Sequence, residues 1–281
     1  MCAVLPSRRF VRGDSTVDWN RNDLLRFAVV VAAAVAIWRL AQAASLHGGA
    51  DPSQAHLLFA GLVCPASLAL IALALRWHGR GPRWLGLHGQ GAGRAVATGL
   101  LAYLLPAALT LALCLATGLL SMTPQMPMAE LLPGIALVVV LVFAGEALPE
   151  ELLFRGYAWA CLSRVLSTWQ VILAQAVLFV LAAAAMGAVD NALDASFLFT
   201  FGVVLGVLRA ATGSLWAPMA FHLAFMVAQQ ATGRGRLFFA VDKPELLTVV
   251  MAMVPFSIAI IWLHRRVAWT APARVAAGER A

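Results

Sequence analysis

Residues 131–155 read LLPGIALVVVLVFAGEALPEELLFR. This segment is the strongest indication of the fold class, because it joins an apolar run to three carboxylates and an arginine. The run Leu131–Val142 contains no charged residue. A carboxylate at the centre of a membrane helix costs about 2.5–3.5 kcal/mol on insertion scales, and ionisable groups kept there usually have a function. The stretch therefore predicts a membrane-spanning helix that runs into a polar site.

The spacing of the charged residues predicts which of them pair. Glu151 and Arg155 are four residues apart with the acid first, which is the favourable orientation for an ion pair on one helical face. Glu150 points about 100° away and lacks this partner, and Glu146 lies one turn earlier on roughly the face of Glu150. A purely structural alternative is a Glu151–Arg155 clamp with two solvated carboxylates at the membrane edge.

Pro149 is expected to kink or restart this helix. It lacks a backbone donor, and it disfavours helical geometry at Leu148. A restart would place Glu150 and Glu151 in a first helical turn, where the helix dipole favours negative charge.

The whole chain has the composition of a membrane protein. Of its 281 residues, 62% are hydrophobic and 12% are charged, and the mean hydropathy is +0.85. Apolar runs long enough to span a bilayer recur along the sequence, which predicts an all-α, polytopic bundle with about eight transmembrane helices. The net charge of +7 is explained first by loop arginines that set orientation, so we expect the lipid bilayer and no nucleic acid as a partner. The four cysteines lack the spacing of metal ligands.

The predicted order is a polar N-terminal tail over residues 1–23, a helical domain over residues 24–264 and a basic C-terminal tail over residues 265–281. The predicted spans are Leu24–Leu46, His56–Leu75, Ala95–Leu120, Leu131–Leu148 continued by Pro149–Ser163, Thr168–Gly187, Ser196–Leu208, Ser214–Ala231 and Leu246–Leu263.

Basic residues alternate between the predicted loops. Both tails and the second, fourth and sixth loops carry them, with Arg155 and Arg209 counted among these loop charges, whereas the first, third and fifth loops have none. By the positive-inside rule both termini are cytoplasmic, and Glu150, Glu151 and Arg155 lie toward the cytoplasmic side. The seventh loop, which is also basic, is the one exception.

His222 is the second unusual residue, because it lies in the apolar stretch WAPMAFHLAFMV. It is either a structural histidine or a functional one, since a carboxylate and an imidazole on different spans are the minimum parts for activating a water. A metal such as zinc is an alternative, because Glu146, Glu150 and His222 could supply the three ligands that a catalytic site needs. We rank this below direct carboxylate chemistry. The remaining histidines fall at span ends or in loops and are interpreted as interfacial: His47, His56, His78, His88 and His264.

Two stretches resemble a known family. PEELLFRG, residues 149–156, is similar to the EExxxR signature of the CAAX-protease and bacteriocin-processing intramembrane proteases, to which CAAX prenyl protease 2 belongs. FTFGVVLGVLRAATGSLWAPMAFH, residues 199–222, is similar to the glycine-rich span and histidine helix of that family. The resemblance covers about a third of the chain and implies a protease-like core over residues 131–231 in a multi-pass protein of the bacterial inner membrane.

The resemblance implies a role for each matching position. Glu150 would activate the hydrolytic water, and Glu151 with Arg155 would form a supporting ion pair. The second motif of the family is Phe-x-x-x-His, and here Phe179 is followed at that spacing by Ala183. In the third motif a histidine, matched by His222, is followed four residues later by Asn or Asp. That position is Met226 in this chain, so two expected polar groups are absent.

The resemblance therefore implies an intramembrane endopeptidase that acts on a membrane-associated protein or peptide. His222 would donate to the developing oxyanion, and Glu146 is the nearest substitute for a missing group. Two alternatives stay open. One is a catalytically inactive scaffold or bacteriocin self-immunity protein, which Ala183 and Met226 favour. The other is a transporter that uses Glu146, Glu150 and His222 as a proton relay.

Overall fold

A computed structural model describes residues 19, 21–47, 52–232 and 238–272, and this part of the chain is almost entirely helical. Its long helices are α1 (Arg21–His47), α2 (Pro52–His78), α3 (Ala92–Ala116), α4 (Met128–Leu162), α5 (Thr168–Ala185), α6 (Ala192–Thr212), α7 (Trp216–Thr232) and α8 (Pro244–Leu263). All except α7, which has 17 residues, are long and apolar enough to cross a membrane. The predicted all-α bundle of about eight spans is therefore confirmed.

The helices begin and end close to the predicted boundaries. The largest difference is α6, which extends beyond the predicted Ser196–Leu208 at both ends. Its start is set by Asn191, whose side chain accepts hydrogen bonds from the backbone N–H groups of Leu193 and Asp194. The predicted tails, and Arg234 and Arg236 of the seventh loop, lie largely outside the described residues.

Helix α4 does not restart at Pro149, so the predicted restart was wrong, while the kink that was its alternative stays a prediction. Leu148 keeps helical dihedral angles, with φ −67° and ψ −53°. Wider π-helical segments, Phe143–Ala147 and Leu152–Ala158, flank the turn Leu148–Glu151. A π turn accommodates a residue that cannot donate to the regular ladder, and such turns are frequent at functional sites. The carboxylates therefore lie inside one continuous helix.

Two short strands that the sequence did not predict join the third and seventh loops. Strand β1 (Met122–Pro124) pairs antiparallel with β2 (Phe239–Val241). Beside the pair, the Ser121 backbone N–H donates to Asp242 over 2.9 Å, and this bond holds the pKa of Asp242 below its ordinary value. We call this side of the bundle the Met128 end. It contains the C-terminal ends of α1, α3, α5 and α7.

Helix α7 is held in the bundle by close packing on α3. A Cβ on Gly99 would clash with the carbonyl oxygen of Ala217, so only glycine permits this approach. One turn along, the ring of Tyr103 packs edge-on against Phe221. These contacts fix the part of α7 that carries His222.

Arg155 and Arg209 are buried, which corrects their assignment as loop charges. The Nε atom of Arg209 donates to the backbone oxygen of Arg155 over 3.1 Å, and its guanidinium lies over the ring of Trp159. Gly86, at φ +88°, passes so close that a Cβ would lie 2.6 Å from the Arg209 Nη2 atom. The loop after α2 is thereby held against the C-terminal half of α4.

Candidate active site

Three charged or titratable side chains meet in the interior and form what we call the buried cluster, Glu151, Arg155 and His222. The Glu151 Oε1 atom accepts a hydrogen bond from Arg155 Nη1 over 3.0 Å and lies 3.0 Å from His222 Nδ1. The exposed fractions of the three side chains are 0%, 0% and 2%. The predicted ion pair is present, and the structure adds the contact to His222 on a different helix.

Helices α5 and α6 hold the arginine of this cluster in place. Arg155 Nη2 donates to the carbonyl oxygen of Gly202 over 3.3 Å, and Gln175 donates to the same oxygen over 2.8 Å. The guanidinium also lies 4.9 Å from the ring centre of Phe179, a cation–π contact. A Cβ on Gly202 would lie 3.0 Å from Ala176, so the glycine-rich face of α6 lets α5 come close. Phe179, which matches the second motif, therefore supports the arginine.

Glu150 lies beside the buried cluster but remains partly open. Its Oε2 atom is 3.9 Å from His222 Nε2, and its side chain is 21% exposed. Because an ionised Glu151 can only accept, it fixes the hydrogen on Nδ1 and leaves Nε2 facing Glu150. His222 therefore lies between the two adjacent glutamates with its two ring nitrogens, and a water between Glu150 and Nε2 would contact both a carboxylate and an imidazole.

A cavity of about 1070 Å³ leads from Glu150 and His222 toward the Met128 end, where Met126, Leu193 and Phe238 line it. Most of its lining is apolar. The lining residues within helices lie in α1, α2 and α4 to α8 and include Trp38, Leu137, Phe179, Phe201, Met226 and Ala252. Glu150 itself is nearer the Leu162 end of α4 than the Met128 end. Among the described residues, however, the lining reaches only the opposite end.

The carboxylate of Glu146 contacts two residues in the same cavity. Its Oε1 atom accepts from Gln230 Nε2 over 2.9 Å and lies 3.5 Å from His56 Nε2. His56, which the sequence analysis interpreted as interfacial, lies near the start of α2 and lines this cavity with its ring against Glu146. We call Glu146, Glu150 and His56 the open row, because their side chains are 20%, 21% and 24% exposed.

The sequence held only a weak signal for this second set of contacts. His56 falls near the start of α2, where an interfacial role is the default, and nothing local links it to Glu146 or Gln230. Glu146 was recognised as one turn before Glu150. Gln230 could have been found as the residue two turns after His222 on the same face of α7, since a polar group there would face the same neighbour.

The positions where the family pattern expects polar groups line the same cavity. Ala183 and Met226 are both among its lining residues. No group of three His, Cys, Asp or Glu side chains in the described ranges has the arrangement of a metal site. The structure therefore does not bring Glu146, Glu150 and His222, the ligand set considered from the sequence for a metal such as zinc, together in that arrangement.

Comparison with known proteins points to one family. Residues 132–228, about a third of the chain, match the family model described as Type II CAAX prenyl endopeptidase Rce1-like. No curated protein matches the chain significantly. The matched range contains both stretches that carried the resemblance in the sequence, together with the whole buried cluster and Glu150. The family recognised from the sequence is thereby confirmed, and residues 132–228 form an Rce1-like, CAAX-protease-type membrane region.

Proposed function

We propose that this protein is an intramembrane endopeptidase that uses Glu150 to activate water against a peptide bond of a membrane-associated protein or peptide. One observation carries the proposal. His222 contacts Glu151 through Nδ1 and faces Glu150 through Nε2, and both Glu150 and His222 line a cavity large enough for a polypeptide segment. A solvated acid beside an oriented imidazole in an otherwise apolar cavity suits general acid–base chemistry.

In this mechanism Glu150 accepts a proton from the water as its oxygen adds to the carbonyl carbon of the substrate. His222 acts here as the imidazolium: its Nδ1–H stays on Glu151, and its Nε2–H donates a hydrogen bond to the developing oxyanion. Collapse of the tetrahedral intermediate breaks the C–N bond, and the proton held by Glu150 passes to the leaving amine. The products are a carboxylic acid and an amine, so the water and its protons are fully accounted for.

The rest of the buried cluster serves this chemistry by positioning. Glu151 selects the His222 tautomer and stabilises its charged form, much as a buried carboxylate does in other hydrolytic sites. Arg155 neutralises Glu151, and the Gly202 carbonyl fixes Arg155 in turn. A cluster without exposed surface cannot rearrange easily, which supports a preorganised site.

The cavity also bears on how the substrate arrives. Its lining is mostly apolar, which suits a hydrophobic segment of a membrane protein or a lipid-anchored peptide. The charge pattern of the loops assigns the Met128 end to the extracytoplasmic side, with both termini cytoplasmic. We therefore propose that the substrate enters a bacterial inner-membrane protein from the extracytoplasmic side and reaches Glu150 deep in the bundle.

A non-catalytic protein on the same fold is the second candidate, and the residues at two positions favour it. Ala183 and Met226 leave the cavity wall apolar where the family pattern places a histidine and an amide or acid. A missing general acid or base costs about 10²–10⁴ in rate, and a missing oxyanion donor about 10²–10³. Such a protein would bind a partner segment as a scaffold or a bacteriocin self-immunity protein.

The test compares purified wild-type protein with Glu150→Gln on a detergent extract of membrane proteins, with new peptide termini identified by mass spectrometry. Glu130→Gln is the matched control, because Glu130 is an exposed carboxylate near the start of α4. Termini that appear with wild type and Glu130→Gln but not with Glu150→Gln support the protease. Identical termini in all three samples, with each protein folded, would favour the non-catalytic candidate. Proton-coupled flux in vesicles, lost in Glu150→Gln, would instead support transport.

A further inference from the structure

The open row contains a second pair of titratable groups for which the mechanism above has no use. Glu146 and His56 come from α4 and α2, and their side chains meet at 3.5 Å inside the cavity that holds Glu150. Gln230 of α7 fixes the carboxylate from the other side at 2.9 Å. Three helices therefore contribute polar groups to one point of a mostly apolar cavity wall. Placing ionisable side chains inside a membrane bundle costs several kcal/mol of insertion free energy, so we expect them to have a function.

The arrangement on α4 and α7 repeats along their shared face. On α4, Glu146 and Glu150 are one turn apart, and on α7, His222 and Gln230 are two turns apart on one face with Met226 between them. The two helices run in opposite directions through the bundle, so His222 meets Glu150 while Gln230 meets Glu146. The second set of polar groups thus lies one turn further toward the Met128 end of the cavity.

One atom of this second set lacks a partner. The Oε2 atom of Glu146 is buried and has no hydrogen bond to any described residue, whereas Oε1 carries both contacts. A buried carboxylate oxygen of this kind calls for a further donor. A substrate amide or a water in the cavity would supply one.

We propose that His56, oriented by Glu146, is the second proton-transfer group of this enzyme and replaces the histidine that Ala183 lacks. The proposal rests on the proposed function. The water-derived proton on Glu150 passes through a water and the Glu146 carboxylate to His56. As the C–N bond breaks, the resulting His56 imidazolium donates this proton to the leaving nitrogen and returns to the neutral imidazole. The net reaction remains one water consumed per peptide bond, with no other reactant.

The activity test measures the rate at which Glu150-dependent termini form. We expect His56→Ala to slow this rate about 10²-fold, within the range for a missing general acid. Introducing Ala183→His into the His56→Ala protein should restore a large part of the rate, because it places an imidazole on the same cavity wall. His264→Ala is the control, since His264 is outside the cavity, and should match wild type.

A second measurement does not depend on activity. Dicyclohexylcarbodiimide modifies carboxyl groups in apolar surroundings, and labelling of Glu146 can be followed by mass spectrometry with Glu130 as the internal reference. We expect several-fold faster labelling of Glu146 in His56→Ala than in wild type, because the imidazole no longer covers Oε1. Equal labelling in the two proteins would overturn the pairing.

The two measurements separate the failures. If wild type forms no Glu150-dependent termini, the proposed function fails, while the labelling still decides whether His56 and Glu146 are paired. If His56→Ala cleaves at the wild-type rate, or its loss is not restored by Ala183→His in a folded protein, the catalytic role of His56 is overturned and the proposed function stands.

Discussion

The buried cluster and the open row use the same kinds of side chain on the same helix in different ways. Glu151 is fully enclosed and has both an arginine and a histidine against one oxygen, whereas Glu150, the next residue, is about a fifth exposed. Among the described residues, each set leaves buried polar atoms without a hydrogen-bond partner: Glu151 Oε2 and Arg155 Nε in the buried cluster, and Glu146 Oε2 in the open row. Two neighbouring residues of α4 therefore have different roles: Glu151 holds the site together, and Glu150 is the group proposed to react.

The largest effect is expected when the buried cluster loses its cation. Arg155→Ala leaves Glu151 charged and buried without compensation, which should lower the free energy of unfolding by about 3–5 kcal/mol. The measurement is chemical or thermal unfolding in detergent. Arg164→Ala is the control, because Arg164 is 31% exposed and its ion pair with Asp23 should be worth less than about 1 kcal/mol. Similar losses of unfolding free energy in the two variants would contradict the prediction that the buried ion pair stabilises the fold more than the exposed one.

The sharpest comparison exchanges two neighbouring acids for their amides. Glu151→Gln removes the charge that Arg155 and His222 share and should cost about 1.5–3 kcal/mol of stability. Glu150→Gln should change stability by less than about 0.5 kcal/mol, while abolishing cleavage. Melting temperatures and the peptide-terminus assay on the same preparations separate the two effects. A destabilised Glu150→Gln protein would show that Glu150 also serves to hold the bundle.

A smaller effect is expected where α5 supports the buried cluster. Gly202→Ala places a Cβ 3.0 Å from Ala176 and should push α5 away from Arg155, at a cost of about 1–3 kcal/mol. Gly61→Ala on α2 is the matched control, because no atom lies within 4 Å of its added Cβ. It should be neutral or should stabilise the helix by up to about 1 kcal/mol. The free energies of unfolding are measured in detergent. Equal changes in Gly202→Ala and Gly61→Ala would contradict the packing argument.

The smallest effect lies at the Met128 end, far from the buried cluster. The Ser121 backbone N–H lowers the folded-state pKa of Asp242 below its ordinary value of 3.8. The stability that Asp242 contributes is therefore present above that value and is lost as the pH falls through the lower folded-state pKa. At neutral pH the melting temperature of wild type should be slightly higher than that of Asp242→Asn, and this difference should disappear in acid. A difference in melting temperature that grows as the pH falls would show that folding raises the pKa of Asp242 instead of lowering it.

Local patterns gave the helices and the first ion pair. The spans, the Glu151–Arg155 contact and the departure of Ala183 from the family pattern could all be read from residues close together in the chain. The predicted restart of the helix at Pro149 was wrong. A proline in a regular helix predicts a break, but two π-helical segments accommodate it here. The two arginines counted as loop charges were also misplaced, since a charge near a span end can point inward when a carbonyl or carboxylate receives it.

A bundle of membrane helices follows from the amino-acid sequence alone, because apolar side chains that must face lipid or each other leave a pattern in every segment. The same pattern shows which residues share a face of one helix. The contacts of His222 with Glu151 and Glu150, and of His56 with Glu146, become visible only in the folded bundle. Such contacts join helices far apart in the chain, and their geometry depends on how closely glycines such as Gly99 and Gly202 let the helices approach.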